Sequence, residues 1–79
     1  MTDINQALGR VLARYRAIAK ISQEELADRA GIHRTYVSQI ERGLKSPTLS
    51  VLLKISKSLN TTVSRFIAEA EQNIDDLYH

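Results

Sequence analysis

The sequence predicts an all-α fold, a compact five-helix domain, and three observations carry that expectation. Apolar residues recur at three- and four-residue spacing through most of the chain, the period of a helix with one buried face. Gly and Pro are scarce, three and one, and all but Gly9 stand between the periodic segments. Ser22, Thr48 and Thr62 each precede such a segment, where a hydroxyl can accept a hydrogen bond from an otherwise unpaired first-turn N–H.

The first helix is expected from about Asp3 to Ala19. Asp3 suits its cap, with Gln6 three residues on as the reciprocal partner. Ile4, Leu8, Val11, Leu12, Tyr15 and Ile18 form its expected buried stripe. Gly9 within it costs about 1 kcal/mol relative to Ala, which a close helix contact would explain. The second helix opens at Ser22, with Glu25 placed to complete a capping box. Its Leu26, Ala27 and Ala30 face inward, and the two alanines are small enough to admit another helix closely. Gly31 ends it in the left-handed conformation that glycine adopts at little cost.

The third helix begins at about His33 or Arg34. Ile32 before the cap and Val37 after it suit a hydrophobic staple. At about 100° per residue, Arg34, Ser38, Arg42, Thr35 and Gln39 share one arc of about 140°. Tyr36, Val37 and Ile40 point the other way, and Gly43 closes the helix. Leu44-Lys45-Ser46-Pro47 forms a short basic loop. Thr48 caps a fourth helix to about Leu59, with Leu49, Leu52, Ile55, Ser56 and Leu59 inward and Val51 and Leu53 left over from that stripe. Asn60 suits a left-handed stop. Thr62 caps a fifth helix, over about 62–78, in which Val63, Phe66, Ile67, Ala70, Ile74, Leu77 and Tyr78 keep helical spacing.

Composition narrows the function. Seventy-nine residues suggest one domain with a modest core. Without cysteine, disulfides, thiolate zinc sites and thiol catalysis are excluded. His33 and His79 lie far apart, so no metal cluster is expected. No apolar run approaches the ~20 residues that span a bilayer, and the N-terminus lacks a signal-peptide pattern, so a cytoplasmic location is expected. No phosphate loop or nucleophile–base pair appears. The expectation is a protein that is not an enzyme and has no cofactor, small-molecule ligand or membrane partner. All eleven Lys and Arg fall between Arg10 and Arg65 beside four acids, an excess of seven positive charges. After Arg65 come four acids and no base. A basic body of this kind suits an anionic partner. The outward arc of the third helix carries Arg, Thr, Ser and Gln, side-chain types that read base edges in a DNA groove.

Three stretches carry a resemblance. Ser22-Gln23-Glu24-Glu25-Leu26-Ala27, Ala30-Gly31-Ile32 and Ser38-Gln39-Ile40-Glu41-Arg42-Gly43 resemble the lambda/434-repressor-like helix-turn-helix family, also called the XRE or Cro/C1 type. The resemblance spans about Leu8 to Ile67. Within that family, His33-Arg34-Thr35-Tyr36-Val37-Ser38 with Glu41-Arg42-Gly43 is most similar to controller proteins of restriction–modification systems.

The resemblance implies a homodimeric transcription regulator whose third helix enters the major groove of a two-fold operator, with half-sites about one helical turn apart. Arg34, Thr35, Ser38 and Gln39 match its base-reading positions. Arg34 suits guanine O6 and N7, Gln39 suits adenine, and Thr35 offers a methyl or a hydroxyl. Gln23 matches a phosphate-binding residue at a helix N-terminus. Arg42, Lys45 and Ser46 lie where the following loop meets the DNA backbone. Tyr36 either packs between helices or bonds a phosphate. Arg16 and Glu41 match a family ion pair between the first and third helices. A dimer surface from the last two helices would use Val51, Leu53, Phe66, Ile67, Ile74 and Leu77. The implied partners are double-stranded DNA, a second copy of the chain, and RNA polymerase.

Two residues depart from the family pattern. Lys20 stands where Gly is common, implying a strained backbone or a different turn. His33 replaces the usual Ser, Thr or Asp cap; a neutral imidazole can accept the cap bond and a protonated one cannot, so mild acid is expected to loosen the third helix. An antitoxin or phage-type repressor, and a protein-interaction module that keeps the fold without binding DNA, remain as alternatives.

Overall fold

The computed structural model describes residues 3–74. These form five helices: α1 (Ile4–Ala19), α2 (Gln23–Ala30), α3 (Arg34–Glu41), α4 (Leu49–Ser58) and α5 (Val63–Gln72). α1 packs against α3 and α5. α2 packs on α3 and α4, and α4 on α5. Leu8, Val11 and Leu12 of α1 meet Leu26, Val37, Ile40, Leu52, Ile55, Phe66 and Ala70 in one core. Each large apolar side chain buried there contributes about 1.5–3 kcal/mol.

The helix starts follow from their caps. Asp3 and Gln6 form the full reciprocal box, with Gln6 N donating to Asp3 Oδ1 at 2.8 Å and Asp3 N to Gln6 Oε1 at 3.3 Å. Ser22, Thr48 and Thr62 each accept a first-turn N–H. The box expected at Ser22 is only half made, because the Glu25 carboxylate turns along the helix to Arg29 at 3.4 Å. His33 occupies the cap position of α3, but its imidazole accepts no cap bond. The expected loosening of α3 by mild acid therefore loses its basis.

The first four helices end alike. At Lys20, Gly31, Gly43 and Asn60 the backbone takes positive φ, between 56° and 75°. The next residue in each case donates its N–H five residues back: Ile21 to Arg16, Ile32 to Ala27, Leu44 to Gln39, and Thr61 to Ser56. This doubled-back bond satisfies carbonyls that the helix leaves open. Lys20 adopts the left-handed conformation without glycine's freedom.

Three apolar residues expected in the core are exposed: Ile4 at 42 %, Ile18 at 73 % and Leu49 at 77 %. Each has the right angular position but lies in a terminal turn of its helix. Periodicity reports angle around an axis and says nothing of how far along that axis the covering helices reach. α5 also ends sooner than its apolar spacing implied. Asn73 caps it, its side-chain amide donating to Glu69 O at 2.8 Å. Ile74 is buried beyond the helix, and Leu77 and Tyr78 lie outside the described residues.

Candidate nucleic-acid interface

The interface is built around an eight-residue helix with two unlike faces. Val37 and Ile40 are buried, and Tyr36 is half-buried against the core. Arg34 and Thr35 are exposed on the opposite side, with Ser38 and Gln39 half-buried beside them. Four polar side chains of base-reading type therefore share one outward flank. Arg42, Lys45 and Ser46 continue it, all exposed, along the turn and loop after α3.

The flank stands on a polar network that joins three helices. Glu41, the last residue of α3, accepts from Arg16 Nε at 2.7 Å and from Arg16 Nη2 at 3.1 Å. Arg16 Nη1 also donates to Ile21 O at 3.0 Å, tying the turn before α2 into the same group. The hydrogen bond to Glu41 holds the Arg16 guanidinium pKa above its ordinary value; burial opposes this and the carboxylate's charge adds to it. Gln23, the first residue of α2, donates its side-chain amide to Glu41 Oε1 at 3.1 Å. One carboxylate thus fixes the end of α3 relative to α1 and the start of α2. The family resemblance had matched Gln23 to a phosphate contact and gave no sign of its bond to Glu41. A second amide proton remains on Gln23 for another acceptor.

Backbone contact reinforces this network. A Cβ placed on Gly9 would lie 2.4 Å from Ile40 O and 2.6 Å from Glu41 O, so α1 and α3 meet main chain to main chain. The glycine inside the first periodic segment was the visible signal of such a contact; its partner could not be read from the sequence.

The residues expected at a dimer surface divide. Phe66 and Ile74 are buried within this chain's own core and have no surface to offer a partner. Val51 and Ile67 are half-buried against that core. Leu53 is 46 % exposed and stands one turn from exposed Leu49. Leu77 lies outside the described residues. Periodicity marked all six as apolar, and only the packing of α4 and α5 onto their neighbours separates core from surface.

A capped helix, a left-handed glycine turn and a following helix with an outward polar flank define a helix-turn-helix domain. The helix-turn-helix family profile matches residues 12–66. Control protein C.SmaI of Serratia marcescens is 42% identical over 65 residues, which cover 82% of this chain and 77% of that protein. Among solved structures, the restriction-modification controller protein C.AhdI from Aeromonas hydrophila superposes with a TM-score of 0.76 at 31% identity, covering 77% of this chain and 92% of that one. The clp gene regulator ClgR from Corynebacterium glutamicum gives 0.86 at 28% identity, covering 90% and 76%. The chain belongs to the helix-turn-helix family of the XRE, or Cro/C1, type. Among the described residues no helix is long and apolar enough to cross a membrane.

Proposed function

We propose that this protein is a sequence-specific DNA-binding transcription regulator of the restriction–modification controller type, acting in the cytoplasm as a homodimer on a two-fold operator. The outward flank of α3, held from behind by Glu41, is the observation that carries this reading. Arg34, Thr35, Ser38 and Gln39 read base edges, with Arg34 forming the paired contact to a guanine. Gln23, Tyr36, Arg42, Lys45 and Ser46 bond phosphates and set the register, and phosphate neutralisation supplies most of the affinity. The dimer surface draws on Leu53, Val51 and Ile67. A regulator of this kind needs no catalysis and no cofactor, and RNA polymerase is its further partner at a promoter.

Selection of bound fragments from random duplex DNA, followed by sequencing, tests the reading. A two-fold site with half-sites about one helical turn apart is expected; enrichment of no sequence would overturn it. On the selected site, Arg34→Ala costs about 1–3 kcal/mol of binding and relaxes preference at one base position. Lys45→Ala weakens specific and random DNA alike and lowers the salt slope by about one.

A further inference from the structure

We infer that Gly9, on α1 and outside the polar flank of α3, is a positioning residue that determines which bases the far half of α3 can read. The inference rests on the DNA-reading role proposed above and adds what sets the pitch of the reading helix.

The two ends of α3 are held differently. Its N-terminal end follows the Gly31 turn and is tied to α2 through Ile32 N to Ala27 O at 3.0 Å. Its C-terminal end rests on α1. There Gly9 faces the Ile40 and Glu41 carbonyls, Arg16 holds the Glu41 carboxylate, and Gly43 lies against Gln6, whose Cα is 3.1 Å from where a Gly43 Cβ would stand.

A methyl group at position 9 removes that rest. The overlap at 2.4 Å must open by about 1 Å to reach ordinary contact at 3.4 Å. α1 is held by α5 as well as by α3, with Arg14 and Tyr15 both bonded to Glu69. α3 is short and has solvent over its outer flank, so α3 yields. At 1.5 Å rise per residue, with the Gly31 turn as pivot, Gln39 moves about 0.8 Å and Arg34 about 0.3 Å. A recognition group must stay within about 0.5 Å of its productive place. The displacement exceeds that tolerance at Gln39 and stays within it at Arg34.

The test measures base preference position by position on the site that the wild-type protein selects from random duplex DNA. Arg34→Ala and Gln39→Ala assign the bases read by each residue. For Gly9→Ala, discrimination at the Gln39 base is expected to fall about tenfold while that at the Arg34 base stays within about twofold. Affinity for random DNA stays within about twofold, since phosphate contacts carry it. Ile55→Val, which trims the core on α4 and leaves the α1–α3 seam intact, lowers the melting temperature and leaves the base profile unchanged. An even loss across positions, an unaltered profile, or a change matched by Ile55→Val overturns the inference. Where Gly9→Ala does not fold, Glu41→Gln loosens the same end without adding a methyl. It should show the same order of loss at about threefold, and an even, reversed or absent loss overturns the inference. A wild-type protein that enriches no sequence overturns the proposed function and this inference together.

Discussion

Two arginines stand two residues apart on α1, and each reaches a carboxylate on a different helix. Arg16 grips Glu41 of α3, with side chains 22% and 8% exposed. Arg14 meets Glu69 of α5, with side chains 52% and 31% exposed. The chemistry is the same and its worth is not. Glu41 is nearly sealed from water, so its charge depends on Arg16 and Gln23 for compensation. Losing a partner from such a site costs several times what an exposed pair returns. Glu69 keeps the Tyr15 hydroxyl and has access to solvent. The Tyr15 ring also sits edge-on to Phe66, with centroids 5.0 Å apart, so apolar contact already fastens that side. The fold holds its outer seam by packing and its inner seam, beneath α3, by a buried charge in fixed geometry.

The largest effect should come from the inner pair. Arg16→Ala is expected to lower stability by about 3 kcal/mol in urea unfolding, because it strands the Glu41 carboxylate. A loss no greater than that of Arg14→Ala would erase the distinction. The sign of the pH dependence follows from the raised Arg16 pKa. Its stabilisation is fully present below the unfolded-state value and is lost only as pH climbs through the higher folded value. Between about pH 6 and 9 the difference between wild type and Arg16→Ala should therefore stay flat as far as Arg16 is concerned.

A smaller effect of opposite sign is expected at the turn that Arg16 braces. Lys20 holds φ 60° and ψ 40°, nearly the values of Gly31 at 68° and 36°. Lys20→Gly relieves the left-handed strain but loosens the unfolded chain, leaving a net gain of about 0.5–1 kcal/mol. If thermal unfolding shows a loss instead, the Lys20 side chain contributes packing or charge that outweighs its backbone cost.

The sequence disclosed the five helices because their signals are local. Asp3 with Gln6, Ser22, Thr48 and Thr62 each act within one turn, and Gly31, Gly43 and Asn60 take left-handed conformations that glycine and asparagine adopt most readily. The polar flank of α3 was equally visible, since one helix fixes its own angular pattern. Contacts between helices were harder to read. Glu69 with Arg14 and Tyr15, and Gln23 with Glu41, join residues far apart in sequence, and no local rule pairs them. Arg16 with Glu41 was anticipated only through resemblance. Ile18 and Leu49 show a further gap, since their angles suit burial and their depth along the axis does not. His33 shows another: the cap position is right, yet the imidazole makes no cap bond.

The outer pair gives the smallest expected effect, and it sharpens the comparison through salt. Both members of the Arg14–Glu69 pair are open to solvent, so Arg14→Ala should cost no more than about 0.5 kcal/mol. At about 1 M salt the screening length shrinks to about 3 Å, and an exposed pair loses most of its attraction. The Arg14→Ala deficit should then vanish into the wild-type value. The Arg16→Ala deficit should persist, because its cause is a carboxylate shut away from both water and counterions. Stability curves for the two variants at low and high salt check this directly. If both deficits fade together, burial does not distinguish the two seams, and α3 rests on surface electrostatics.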